Sequence, residues 1–159
     1  MNAGWPTITS VKTYSDTLAK IAEQAEKMVK QVIGTPMPMD VITIFSASDD
    51  EHIFIKDYLL SIGKKSRLSH GLTTYVSPKT VNEIHGYRIK LLGVRAPDTT
   101  RHERGYVDLP VENYSKVKTK LDSNSFVHEV VSGRGRNMLE IRHPDFDVRA
   151  YIVSTKDHL

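Results

Sequence analysis

"DVITIFSASDDEHIFIKDYLLSIG", residues 40–63, changes its hydrophobic period partway along. Residues 40–47 are short and β-branched, the composition of a buried strand. Ser48, Asp49 and Asp50 then suit a helix N-terminus: a serine hydroxyl accepts from backbone N–H groups that lack a helical partner, and carboxylates favour the positive end of the helix dipole. Gly63 suits the helix end. The stretch reads as strand then helix, so the fold turns on what the strand pairs with and whether the order recurs.

Downstream, SRLSHGLTTYVS (66–77) and HGYRIKLLGV (85–94) read as extended runs separated by the turn-forming PKTVNE, and are expected to pair as antiparallel neighbours. After a polar loop, APDTTRHER (96–104), the order begins again. RGYVDLPV (104–111) is a strand, and ENYSKVKTKLDSN (112–124) is a helix carried by Tyr114, Val117 and Leu121. FVHEVVSG (126–133) is extended, and NMLEIRHPDFDVRAYIVS (137–154) holds two β-rich runs around a Pro- and Asp-containing turn. Two βαβββ units emerge, at 40–97 and 104–155. Upstream, Leu18, Ile21, Ala22, Ala25, Met28, Val29 and Val32 recur at three- and four-residue spacing and predict a helix over 13–33, whose apolar face docks on its own domain. GTPMPM (34–39) stops it. The expected organisation is a helical extension and linker over 1–39 and one domain over 40–159. The fold class is α+β, with paired βαβββ units forming curved mixed sheets around a shared cavity.

Composition removes several chemistries. The 159 residues include no Cys, which excludes disulfides, thiolate nucleophiles, Cys-zinc sites and iron–sulfur clusters. GxSxG, Walker A, HExxH and the Gly-rich dinucleotide fingerprint are absent. With 22 basic against 19 acidic residues the net charge is only +3, so nucleic acid is not the expected partner. Basic residues gather in GKKSR (63–67) and SGRGRN (132–137) without the aromatic spacing of a base-stacking platform. A basic adaptor for nucleic acid or protein stands as the alternative, its binding falling steeply with salt. MNAGWPTITS (1–10) lacks the form of a signal peptide, and no run approaches the ~20 apolar residues of a membrane span. A cytoplasmic monomer or homodimer, free of membrane, is expected.

The paired βαβββ chain with a leading helix resembles the vicinal oxygen chelate superfamily, the glyoxalase and extradiol dioxygenase relatives, and within it the YecM-like branch. DVITIF (40–45), IHGYRIKLL (84–92) and RHERGYVDLPV (101–111) carry the resemblance, which spans roughly residues 13–155. It implies His and Glu side chains on the inner sheet faces holding a divalent metal, with adjacent oxygens of a small substrate completing the coordination. The implied activities are isomerase, lyase or oxygenase chemistry. Here the sequence departs from the pattern. The expected histidines fall on Val41 and Tyr106, neither a ligand of a His and carboxylate site. A non-catalytic relative that sequesters a small, acidic molecule is the competing implication, and the cofactor is left open, a divalent metal being the candidate.

Candidate site residues follow from strand alternation. Tyr106 and Asp108 share one face of their strand, and Glu140 lies in the strand before the final turn. Glu103, Asp108 and Glu140 are the candidate acid–base groups, and His85, opening the fourth strand of the first unit, is the candidate metal ligand. Tyr87, Tyr106 and Tyr151 sit in three strands where they can line one concave surface, with Arg149 beside Tyr151 to hold an acidic ligand. His102, Glu103 and Arg104 are consecutive, so their side chains alternate and at most two point inward. They read either as a ligand-orienting cavity rim or as a solvated crossover loop. Each of these positions also reads as an ordinary hydrogen-bonded polar group. Arg142 and His143 read as a turn, and His52 as helix surface.

Overall fold

The computed structural model describes residues 4–80 and 82–159, with the backbone alone at Asp157. Helix α1 runs Val11–Ile33. Ser10 Oγ accepts from Thr13 N–H at 3.1 Å while Thr13 Oγ1 accepts from Ser10 N–H at 3.0 Å, so two orphan donors are satisfied reciprocally. Gly34, at φ +94°, ends the helix in the left-handed conformation that glycine adopts without a Cβ clash. The stripe from Leu18 to Val29 is buried, as its spacing predicts.

The first unit contains β1 (Val41–Phe45), α2 (Asp49–Ile62), β2 (Gly63–Lys65), β3 (Thr73–Pro78), β4 (Asn82–Ile84), β5 (Tyr87–Ile89) and β6 (Leu91–Arg95). The second contains β7 (Gly105–Val111), α3 (Tyr114–Lys120), β8 (Val127–Val131), β9 (Asn137–Ile141) and β10 (Val148–Ser154). Eight strands form one mixed sheet in the order β2-β3-β6-β1-β7-β10-β9-β8. In each unit the first strand lies parallel to the last, β1 to β6 and β7 to β10, and the remaining neighbours are antiparallel. Antiparallel pairing of β1 with β7 joins the units, so the strand order reads the same outward from this seam in both directions. The duplicated βαβββ reading therefore holds, and its two curved sheets are one continuous sheet.

Two details differ from the sequence expectation. The run 85–94 is not one strand. Tyr87–Ile89 pairs with Asn82–Ile84 in a separate hairpin, turned by His85 and Gly86 at φ +52° and +82°, and only Leu91–Arg95 enters the main sheet. Two consecutive positive φ values give the tight turn whose twist matches paired strands. In the 66–77 run, only the residues from Thr73 onward form the strand, and 66–69 are turned.

Alternation sorts the sheet into two faces. Ile42, Ile44, Leu92, Val94, Val107 and Ile152 pack beneath the helices in one hydrophobic core with Ile21, Met28, Ile55 and Leu59. Helix α2 covers the first unit through β3 and β6, whereas α1 lies on β7, β10 and β1. The crossover helix of the second unit, α3, has only seven residues and buries none. Helix α1 thus covers the face that α3 is too short to cover. The opposite face of the sheet is concave and open. Among the described residues, no helix is long and apolar enough to cross a membrane.

Candidate functional site

The concave face holds a cup of about 1020 Å3 to which both units contribute, Tyr75 and Leu91 from the first and Tyr106, Asp108, Glu140 and Tyr151 from the second. Its floor follows from register. Gly93 lies beside Thr43 on one side and Tyr75 on the other. A Cβ at Gly93 would stand 2.9 Å from the Tyr75 ring and 2.5 Å from Thr43 Oγ1, so glycine lets the ring lie across its strand and reach the Tyr106 hydroxyl, to which Tyr75 is hydrogen-bonded. Tyr106 in turn meets Tyr151 edge-on, with ring centroids 5.3 Å apart.

Burial pushes the Tyr75 phenol up to about 12, with the Asp108 charge adding to it. Burial and the neighbouring Tyr75 push Tyr106 further up, and burial with the Glu140 charge raises Tyr151. All three are neutral hydrogen-bonding phenols near pH 7. Tyr151 donates to Glu140 Oε2 at 3.0 Å. Asp108 is the unusual group. Burial pushes its carboxyl up to about 7, with the His158 charge opposing and Asp40 adding to the rise. His158 Nε2 lies 2.7 Å from Asp40 Oδ1, and its Nδ1 lies 3.9 Å from Asp108 Oδ2.

The sequence candidates divide into three groups. Tyr106, Asp108, Glu140 and Tyr151 meet in the cup. Glu103 and Arg149 form a buried ion pair at 2.9 Å, extended by Arg142 at 3.2 Å from Glu103 and by Glu140 at 3.4 Å from Arg149. Neither Glu103 nor Arg149 lines the cavity. Burial works against the Glu103 charge, but the adjacent Arg149 guanidinium, the Glu103 backbone and the Arg142 charge hold that carboxyl below its usual range.

The third group lies elsewhere. Arg104 grips Glu51 through both carboxylate oxygens, at 2.6 and 2.8 Å, and donates to the Phe45 carbonyl at 2.8 Å. Glu51 also accepts from Ile8 and Ala47 N–H, each at 2.8 Å. Arg104 therefore ties α2 and the N-terminal segment to the start of β7, and it does not face the cup. His102 is 68 % exposed at the side chain, on the outer side of Glu103. Tyr87 donates to Glu26 Oε2 on α1, and His85 Nε2 lies 3.3 Å from Glu26 Oε1. The separate β4–β5 hairpin carries this pair to α1, away from the cup.

Residues of the cup that sequence reading did not place there include Tyr75, His158 and, from the basic SGRGRN segment, Arg134 and Arg136. Alternation with Thr73 was a usable signal for Tyr75. His158 had none, because its place depends on the chain folding back after β10.

The donor set does not fit the divalent ion that the resemblance implies. Val41 lines the cup where a ligand is expected, and the phenols are held protonated. Of the two carboxyls at the floor, Asp108 is pushed up to about 7 and is half-protonated near neutrality, and Glu140 is engaged by Tyr151 and Arg149. Among the described residues, no three His, Asp or Glu side chains come together in a metal-holding group.

No family model matches the chain, and no curated protein matches it. Among solved structures, a structural-genomics protein, EC4020, superposes with a TM-score of 0.68 at 10 % identity, over 99 % of this chain and 95 % of its own. The likeness shows a shared fold over the whole chain. Two partial likenesses have TM-scores of 0.44. One is to a glyoxalase/bleomycin resistance protein/dioxygenase superfamily member from Vibrio splendidus 12B01, at 6 % identity over 71 % of this chain and 97 % of that one. The other is to methylmalonyl-CoA epimerase from Mycobacterium tuberculosis, at 12 % identity over 75 % and 89 %.

Proposed function

We propose that the protein binds a small, oxygen-rich molecule in the cup, as a vicinal-oxygen-chelate-type protein that holds its ligand by hydrogen bonds in place of a metal. The observation that carries this reading is the floor: Tyr75, Tyr106 and Tyr151 converge with Asp108 and Glu140 in one concavity built by both units. The Tyr75–Tyr106 pair keeps one hydroxyl proton for a ligand oxygen, Asp108 in its protonated form adds a donor, and Glu140 accepts from a ligand hydroxyl. Val41, Leu91 and Val153 add apolar surface beside these polar groups.

The test is a thermal-shift screen of small polyoxygenated compounds, repeated on Tyr106→Phe/Tyr151→Phe, together with metal analysis of untagged protein. Hits that weaken in the double variant, and a melt indifferent to chelator, are expected. Stoichiometric metal with a chelator-sensitive melt, or hits that bind both proteins equally, would sink it.

One observation favours a catalytic version, an isomerase or lyase. Asp108, half-protonated near neutral pH at the cup floor, suits a general acid–base that moves a proton beside a carbonyl. Deuterium incorporation into carbonyl compounds from heavy water, followed by NMR, tests it. Exchange that persists in Asp108→Asn removes Asp108 from the chemistry.

A further inference from the structure

The two basic segments that stand far apart in sequence meet at the mouth of the cup. Arg67, Arg134, Arg136 and Lys156, with Leu68 and Leu159, enclose a recess of about 280 Å3. All of these except Arg67 also line the cup, so the two spaces are continuous. The convergence follows from the duplication. Arg67 sits in the β2–β3 connection of the first unit, and Arg134 and Arg136 sit in the β8–β9 turn, the equivalent position of the second. At Gly133 a Cβ would stand 3.2 Å from His70 Nε2, so the two connections touch.

Both connections are fixed by their own hydrogen bonds. Ser66 Oγ accepts from Leu68 N–H at 3.1 Å, and Ser66 N–H donates to the Tyr75 carbonyl at 2.8 Å. Ser132 Oγ accepts from Arg136 N–H at 3.1 Å, and Ser132 N–H donates to the Arg136 carbonyl at 2.7 Å. Arg134 and Arg136, on either side of Gly135 in this turn, both line the recess. Arg95, Arg101, Arg104, Arg142 and Arg149 all have carboxylate partners. Among the described residues, none of the four cations around the recess has a carboxylate within 4.0 Å. Burial, then the Arg136 charge, with Tyr75 opposing and Arg67 adding, lowers Arg134 from the ordinary arginine value. Clustered cations repel one another, and a bound anion relieves that repulsion. Guanidinium forks match phosphate oxygens in pairs.

We propose that this recess binds the phosphate group of a phosphorylated small molecule whose body occupies the cup. The proposal rests on the ligand-binding reading of the cup and names the ligand class. A nucleic-acid strand is the poorer occupant. The recess is small and concave, and the cup it opens into carries Glu112 and Glu140, which repel a polyphosphate backbone.

Calorimetry of the full chain in about 150 mM potassium chloride, where the Debye length is about 8 Å and loose surface attraction is screened, decides between the occupants. The probes are inorganic phosphate, glucose 6-phosphate, glucose and a labelled single-stranded oligonucleotide. Glucose 6-phosphate is expected to bind at least about tenfold more tightly than glucose, and Arg134→Gln/Arg136→Gln to lose at least about tenfold. The charge-matched Lys12→Gln/Lys27→Gln, at exposed ion pairs, is expected to stay within about twofold of the native protein. Tyr106→Phe/Tyr151→Phe separates the two readings, because it removes hydroxyls that face the sugar oxygens and none that face the phosphate. If it weakens glucose 6-phosphate and spares inorganic phosphate, recess and cup both stand. If it spares both probes, the cup reading fails and the recess survives. Phosphate bound equally by the native and double-arginine proteins overturns the proposal. So does an oligonucleotide that outcompetes glucose 6-phosphate and loses its binding in the double-arginine variant.

Discussion

Replacing Arg104 with methionine isolates an ion pair that joins both units and the N-terminal segment. The Glu51 side chain is 0 % exposed and that of Arg104 is 4 %, so water cannot replace the lost guanidinium. The variant leaves Glu51 with only the Ile8 and Ala47 N–H donors. Breaking a buried pair from one side costs about 3–5 kcal/mol, a large part of the 5–15 kcal/mol typical of a folded domain. With a urea dependence of about 2 kcal/mol/M, the unfolding midpoint should fall by about 2 M. The pH dependence follows from the same carboxyl. In the native protein, burial raises Glu51, but the Arg104 hydrogen bond, then the two backbone donors, hold it below its usual range. Its folded value lies below the unfolded one of about 4.3, so its stabilisation is present above that pH and is lost as pH falls through the folded value. Without Arg104 the burial effect is no longer opposed, the carboxyl rises, and protonation relieves it. The penalty should therefore be larger at pH 8 than at pH 5. Glu51→Leu/Arg104→Met should recover much of the loss, giving a coupling energy in a double-mutant cycle. A midpoint shift below about 0.5 M, or a penalty that grows at pH 5, refutes the reasoning.

The remaining predictions concern the cup. Asp108→Asn should raise the melting temperature at pH 8 more than at pH 5: the folded pKa of about 7 lies above the unfolded ~3.9, so the native carboxyl costs stability as pH rises between these values. Equal shifts at the two pH values would contradict the assignment. Gly93→Ala should push the Tyr75 ring aside and cost about 1–3 kcal/mol, read by urea unfolding and by weakened cup hits in the thermal-shift screen. Gly105→Ala should be more damaging, because its Cβ meets the Thr43 backbone carbonyl across the β1–β7 seam, where no side chain can swing away. Circular dichroism of the purified variant checks it, and a native spectrum with a native melting temperature would count against the seam geometry. Manganese, nickel, zinc and chelator should each leave the melting temperature unchanged.

Much of the fold was legible because buried elements leave periodic marks. The switch from the β-branched run at 40–47 to the helix opened by Ser48, and its recurrence after residue 104, follows from side chains that face one core. The β4–β5 hairpin was harder to see: Tyr87, Ile89 and Leu91 continue the alternation, and only the left-handed turn at His85 and Gly86 diverts the chain. Of the cup lining, strand alternation placed Tyr106 with Asp108, and Tyr151, on the concave face. It did not separate Arg149 from the cup, since Arg149 shares the Tyr151 face and is then claimed by Glu103.

The amino-acid sequence by itself determined the strand-then-helix opening of each unit, the duplication and the apolar face of α1, because each is a local pattern repeated along the chain. Tertiary structure alone decided where the polar groups went. Arg104 became a clamp on Glu51, His85 and Tyr87 turned to Glu26, and Arg67 met Arg134 and Arg136 at the cup mouth. Alternation assigns a side chain to a face. Its partner is chosen by whichever opposite charge or donor the fold brings within hydrogen-bond reach, and these partners lie 53, 59 and 61 residues away along the chain.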